Sequence, residues 1–174
     1  MTPATSDDLL ARLAALGVRA DLHRHEAVFT VAESRAIKAA IPGGHTKNLF
    51  LKDRKDRLFL VTAEDEARVD LKRLHETLGA SGRLSFGSAE LLRETLGVEP
   101  GSVTPLAVLN DPENRVEVVL DARLMGFERV SVHPLVNTMT VTLNRDDLVA
   151  VLTAFGHPPR VLVLPEPPEA AARD

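Results

Sequence analysis

Two short apolar runs, Leu49-Phe50-Leu51 and Leu58-Phe59-Leu60-Val61, restrict the fold more than any other stretch of this chain. Successive side chains of a β-strand point to opposite faces, so strands that are apolar at consecutive positions must be covered on both sides. Between them, Asp53-Arg54-Lys55-Asp56-Arg57 is wholly charged and reads as a turn. The pattern predicts an antiparallel hairpin, residues 46–52 with 58–63, at the centre of a sheet that carries further elements on each face.

The rest of the chain supplies those elements. Residues 6–16 read as an amphipathic helix, with Ser6 as N-cap, Asp7 and Asp8 in the first turn, Leu9, Leu13 and Leu16 on one face, and Gly17 as the stop. A strand is expected over 18–23. Thr30 and Glu33 have capping-box spacing and open a helix to about Ala40, which Ile41-Pro42-Gly43-Gly44 terminates. Asp70 is a candidate cap for a helix carrying Leu71, Leu74 and Leu78, and Ser88 for one carrying Leu91, Leu92 and Leu96; Gly79 and Gly97 end them. Strands are expected over 115–121, 129–132 and 138–143, a short strand or turn over 106–109, a last helix from Asn144 to Phe155, and an edge strand over 160–164. Strands and helices are mixed without strict alternation, and neither a repeat nor a linker interrupts them. This predicts one α+β domain over residues 1–164, with the Pro- and Glu-rich residues 165–174 as a flexible tail.

Composition excludes several chemistries. The chain has 174 residues and no cysteine, so disulfides, thiolate catalysis and cysteine-ligated metals are ruled out. With six Phe and neither Trp nor Tyr, it lacks the aromatic platforms of general single-strand binders. A net charge of −4 argues against a general duplex binder, but a local basic patch exists in Lys47, Lys52, Arg54, Lys55 and Arg57. That patch reads either as a solvated hairpin tip or as a nucleic-acid contact. No secretion signal or membrane-spanning run is visible, which fits a cytoplasmic protein with no membrane partner.

The candidate site residues gather around Gly43-Gly44-His45-Thr46-Lys47-Asn48, at the mouth of the first apolar strand. The order helix, glycines, strand is the reverse of a phosphate loop, which needs a strand before its glycines and a helix after its lysine. Lys47 at a strand mouth can neutralise a phosphate or polarise a carbonyl; it can equally be a surface lysine. His45 and His133 each sit beside turn residues at strand ends, as acid/base or donor candidates or as structural histidines. His23 and His25 share a strand face but lack a third zinc ligand, so no metal is expected. Gly-x-Ser-x-Gly is absent, and the loop Gly101-Ser102-Val103-Thr104-Pro105 offers two hydroxyls and backbone N–H groups.

Taken in order, Gly43 to Asp53, Phe86-Gly87-Ser88, Pro100 to Leu106 (a GxxxP loop), Val119-Leu120-Asp121 and His133-Pro134-Leu135-Val136-Asn137 resemble the blocks of the YbaK/prolyl-tRNA-synthetase-associated editing superfamily, and within it the free-standing ProX (PrdX, ProXp-ala) branch. The resemblance runs from about His25 to His157. It implies a mixed, largely antiparallel, barrel-like sheet surrounded by helices, and a trans-editing deacylase that hydrolyses mischarged tRNA(Pro), with alanyl-tRNA(Pro) as the expected substrate. Such an enzyme answers a physical need, because a proline pocket excludes the smaller alanine by only about 1–3 kcal/mol. The resemblance further implies that Lys47 holds the terminal phosphate or the carbonyl region and Asn48 positions the same end. Gly101 would present its N–H to the scissile carbonyl, Pro105 would fix the loop, and His133 would line the aminoacyl pocket. Ser102, Thr104 and His45 complete the expected substrate-binding set, and Lys52, Arg54, Lys55 and Arg57 the expected tRNA contact. Water is the expected nucleophile, with no metal or other cofactor. The expected partners are the acceptor end of mischarged tRNA(Pro) and, transiently, prolyl-tRNA synthetase, with the chain acting as a monomer. The competing reading is a non-catalytic module of the same fold that senses an aminoacyl end or a free amino acid.

Overall fold

The computed structural model describes residues 2–28 and 30–168. In chain order its elements are α1 (Ser6–Ala15), β1 (Ala20–Arg24), α2 (Val31–Ala40), β2 (Gly44–Lys52), β3 (Leu58–Glu64), α3 (Leu74–Leu78), β4 (Ser85–Phe86), α4 (Ala89–Leu96), β5 (Val116–Asp121), β6 (Arg129–Val132), β7 (Met139–Asn144), α5 (Arg145–Ala154) and β8 (Arg160–Leu162). Short 3-10 helices cover Pro105–Asn110 and Ala122–Gly126. The strands form one mixed sheet in the order β1-β7-β6-β2-β3-β5-β8, with β4 paired to the end of β2. The predicted hairpin is present and central: β2 runs antiparallel to β3, Thr46 opposite Glu64 through to Lys52 opposite Leu58. The first two residues of β2, Gly44 and His45, pair in parallel with β6. One strand therefore joins the two halves of the sheet.

Alternation along the central strands sorts their side chains between two cores. Phe50, Leu58, Leu60, Val118 and Leu120 enter one core with the apolar faces of α1, α4 and α5 and with Leu106, Ala107 and Val108. Leu51, Phe59, Val61, Ala63 and Val119 enter the other, with Leu74 and Leu78 of α3. Phe59, Leu60 and Val61 are fully buried, each burial contributing about 1.5–3 kcal/mol.

Several local expectations shift by a residue or an element. The cap of α1 is Thr5, in a capping box with Asp8, because the Ser6 hydroxyl instead donates to the Pro134 carbonyl at 2.6 Å. α2 opens on the predicted Thr30–Glu33 capping box. α3 starts at Leu74 rather than after Asp70: the Asp70 carboxylate accepts the Lys72 N–H at 3.0 Å, closing a local turn, and Leu71 stays exposed. Residues 106–109 are neither strand nor simple turn but part of a 3-10 helix that Thr104 caps and Pro105 begins. Asp53, first in the charged turn, is buried and accepts N–H groups from Lys55, Arg57 and Ser81, each at 2.9 Å. Burial pushes its carboxyl pKa up, but these three donors and the Arg57 charge outweigh burial and hold it below the usual range. Of the expected tail, Pro165 accepts the Asp70 N–H at 2.7 Å and Glu166 pairs with Arg123, while residues 169–174 lie outside the described residues.

The junction of β2 and β6 depends on a glycine. Gly43 has φ +113°, and a Cβ there would stand 2.9 Å from the Arg129 carbonyl oxygen on β6. Gly17 also has positive φ (+74°) but open space around it. Gly43→Ala is expected to destabilise the protein by about 1–3 kcal/mol more than Gly17→Ala, the difference being the steric conflict with β6. Denaturant midpoints of the two variants measure it, and equal midpoints would show that the close approach costs nothing.

Candidate active site

At the end of β2 where it pairs with β6, a cavity of about 260 Å³ opens between the sheet and α2. β2 contributes His45 and Thr46, β6 contributes Ser131 and Val132, and α2 contributes Ile37 and Lys38. Gly101 comes from the loop ahead of the first 3-10 helix; His133 and Asn137 come from the β6–β7 connection. The wall is braced by polar bonds that the strand pairing sets up: Thr46 donates to the Ser131 carbonyl at 2.8 Å, and the Ser131 and Thr142 hydroxyls lie 2.8 Å apart.

Three histidines line this cavity, and their partners define their protons. His133 Nδ1 lies 3.1 Å from the Met139 carbonyl. A carbonyl only accepts, so Nδ1 carries the proton and Nε2 keeps its lone pair. Burial pushes the His133 pKa down; the Met139 carbonyl opposes that and the neighbouring His25 adds to it, leaving it below the ordinary histidine value. The imidazole is thus neutral at pH 7. His25 Nδ1 donates to the Glu26 carbonyl at 2.9 Å, and its Nε2 lies 2.8 Å from the Thr140 hydroxyl. His45 Nε2 donates to the Ile41 carbonyl at 2.8 Å, tying the start of β2 to the end of α2.

Lys47 and Asn48 cannot act as one unit, because neighbours on a strand face opposite ways. Lys47 shares the face of Leu49 and Leu51, and its ammonium donates to the Ala67 carbonyl, on the link between β3 and α3. It stands one residue from Thr46 but does not line the cavity. Asn48 lies on the other face with both ends of its amide bonded: Nδ2 donates to the Val103 carbonyl at 2.9 Å, and Oδ1 accepts from the Thr62 hydroxyl at 2.7 Å. Asn48, expected to position the nucleotide end, is here a strut that holds the GxxxP loop.

The same loop separates support from surface. Thr104 is fully buried and spends its hydroxyl capping the 3-10 helix at the Leu106 N–H, 3.3 Å away; Pro105 is buried at the first position of that helix, and Ser102 is buried with its N–H on the Glu99 carbonyl. None of these three expected substrate contacts lines the cavity, whereas Gly101, at φ +91°, does. Positive φ is what demands glycine there.

The basic hairpin patch is remote. A rise of about 3.3 Å per residue puts Lys52 about 23 Å along β2 from His45. Lys52 pairs with Asp56 at 3.5 Å, and Arg57 pairs with Glu117 at 3.1 Å and lies over the Phe59 ring. Arg54 instead lines a groove with Lys72, Arg83 and the exposed Phe86. Sequence reading missed Lys72, Arg83 and Phe86 as partners of Arg54. It also missed the ion pair of Lys38 with Asp65 at the cavity rim, whose members are 27 residues apart and share no local pattern. Among the described residues no three His, Asp or Glu side chains group as metal ligands, and no helix is long and apolar enough to cross a membrane.

Residues 25–151 match the family model described as the aminoacyl-tRNA editing domain. The chain is 38% identical over 150 residues to the prolyl-tRNA editing protein ProX of Acetoanaerobium sticklandii, covering 86% of this chain and 91% of that one. It is 38% identical over 155 residues to prolyl-tRNA synthetase associated domain-containing protein 1 of Bos taurus, covering 87% and 90%. The fold is similar to the crystal structure of a candidate trans-editing enzyme for prolyl tRNA synthetase, with a TM-score of 0.69 at 21% identity over 94% of this chain and all of that one. By the extent of the family match and of both relatives, this chain belongs to the aminoacyl-tRNA editing domain family.

Proposed function

We propose that this editing-domain hydrolase clears mischarged tRNA(Pro), with alanyl-tRNA(Pro) as its substrate. The observation that carries the reading is the small cavity whose lining includes both Gly101 and a neutral His133. At about 260 Å³ it lies below the range of drug-sized pockets and suits a small aminoacyl ester. The names of the relatives, which speak of prolyl-tRNA and its synthetase, support tRNA(Pro) as the carrier. In this mechanism water is the nucleophile. His133 Nε2, with its free lone pair, accepts a hydrogen bond from that water, and the Gly101 N–H donates to the carbonyl oxygen. Esters are activated acyl groups, so positioning and oriented donors are sufficient to drive hydrolysis. Lys47, just outside the cavity lining, neutralises a phosphate of the terminal nucleotide after exchanging the Ala67 carbonyl for it. The groove of Arg54, Lys72 and Arg83 receives the acceptor-stem backbone, with Phe86 as an exposed apolar contact. The chain acts as a monomer in the cytoplasm and meets prolyl-tRNA synthetase only transiently.

Three measurements test this reading. Wild-type protein should deacylate Ala-tRNA(Pro) faster than Pro-tRNA(Pro), and Lys47→Ala should lower kcat/KM by roughly 10- to 100-fold, the size of one hydrogen bond to a charged group; no turnover by the wild type would remove the hydrolase, and full activity in the variant would remove the role of Lys47. Because folded His133 has a lowered pKa, activity should be flat through neutral pH and fall only below about 6.5, the unperturbed histidine value. Stability should decline in that same acid window, since the unfolded chain there binds more protons than the folded one; an acid limb unchanged in His133→Asn would assign the titration elsewhere. Finally, Arg54→Glu with Arg83→Glu should weaken tRNA binding and make its logarithmic salt dependence shallower, by a slope of roughly one for each phosphate no longer neutralised. An unchanged salt slope would exclude the groove.

A further inference from the structure

The connection between β6 and β7 is pinned on every side of one free side chain. Pro134 accepts from the Ser6 hydroxyl at 2.6 Å, Thr138 accepts from the His25 N–H at 2.9 Å, and Met139 accepts from His133 Nδ1. Leu135 within it has φ +70° and a buried side chain, a conformation that a bulky residue keeps only where its surroundings over-determine it. Such enforced backbone concentrates at functional sites. In this rigid segment Asn137 is half-buried and lines the cavity, yet its amide has no hydrogen-bond partner among the described residues. A structural Asn in a turn ordinarily closes on its own backbone two residues away, and Asn48 shows how fully an amide in this fold can be spent. The Gly101 N–H also has no acceptor among the described residues. Asn137 Nδ2 lies 3.8 Å from where a Cβ on Gly101 would stand, so the two unpaired donors are neighbours in one wall.

We propose that Asn137 is a catalytic residue whose side-chain amide, together with the Gly101 N–H, holds the oxyanion formed during ester hydrolysis. The proposal rests on the hydrolase reading above. Water oxygen bonds to the ester carbonyl carbon as the π pair moves onto the carbonyl oxygen, and His133 Nε2 takes the water proton. The oxyanion accepts from Asn137 Nδ2 and from the Gly101 N–H. Collapse re-forms the carbonyl, breaks the bond to the ribose oxygen, and returns the proton to that oxygen, releasing free amino acid and uncharged tRNA. Donors held in place before reaction need no reorganisation when the charge develops, which is where their effect on rate arises.

The experiment compares wild type, Asn137→Ala and Asn137→Asp on Ala-tRNA(Pro) in single turnover, beside the affinity of each for a non-hydrolysable amide-linked Ala-tRNA(Pro). The expected result is a loss of about 10²- to 10³-fold in the rate of hydrolysis for both variants, with analogue affinity within about threefold of wild type. The near-isosteric Asp keeps the shape but presents no N–H donor when ionised, so it separates donation from packing if the Ala variant folds poorly. A hydrolysis rate within threefold of wild type in either folded variant overturns the proposal. So does a fall in analogue affinity as large as the fall in rate, because the residue would then bind ground state and transition state alike. A wild type that hydrolyses no mischarged tRNA overturns the hydrolase reading and this proposal with it, whereas an active wild type beside active variants overturns this proposal alone.

Discussion

The amide of Asn48 bonds to the Val103 carbonyl on one side and to the Thr62 hydroxyl on the other, and the geometry of the cavity wall follows from that pair of contacts. Thr62 is the register partner of Asn48 across the central hairpin, so the bond to Val103 ties the GxxxP loop to the most deeply buried part of the sheet. Breaking it would leave partly buried polar groups unpaired, at up to about 1–3 kcal/mol. The loop gains its rigidity from that cost. Thr104 and Pro105 then commit the following residues to a 3-10 helix in the core, and Gly101 is the part left to face the cavity.

The charges in the cavity lining are paired with one another. The Lys38–Asp65 pair stands at the rim, and Lys47 lies one strand position outside. Within are the neutral imidazole of His133, hydroxyls, a backbone glycine and an amide. In a partly desolvated site such neutral donors interact more strongly with a developing negative charge than they would in water. A fixed cation at the same place would bind the anionic product and the substrate phosphate as readily as the transition state. Strand parity sets the Lys47 side chain on the face opposite Asn48, which holds the loop that carries Gly101.

How much of this was legible in the sequence depended on whether the signal was local. The hairpin, the Thr30–Glu33 box, the Ser88 cap and the glycine stops of α3 and α4 are written in adjacent residues, and they stand as predicted. Asp70 misled because its carboxylate had a closer partner at Lys72, and Ser6 because its hydroxyl had a distant one at Pro134. Strand parity alone would have separated Lys47 from Asn48, yet their adjacency in one motif suggested a shared task. The Lys38–Asp65 pair, the basic groove around Arg83 and the approach of Asn137 to Gly101 join segments far apart in sequence, so only the fold reveals them.

The parallel pairing of Gly44 and His45 with Val130 and Ser131 has a consequence for the order of assembly. The cavity draws on residues from His25 to Thr140, and its floor is a contact between strands more than eighty residues apart. Long-range parallel pairing forms late, because the chain entropy of closing so large a loop is lost before the contact returns any stabilisation. During synthesis the β2–β3 hairpin can collapse early, but the wall carrying His133 is emitted only after about three-quarters of the chain. A growing polypeptide therefore carries no complete cavity of this kind until its domain is nearly finished.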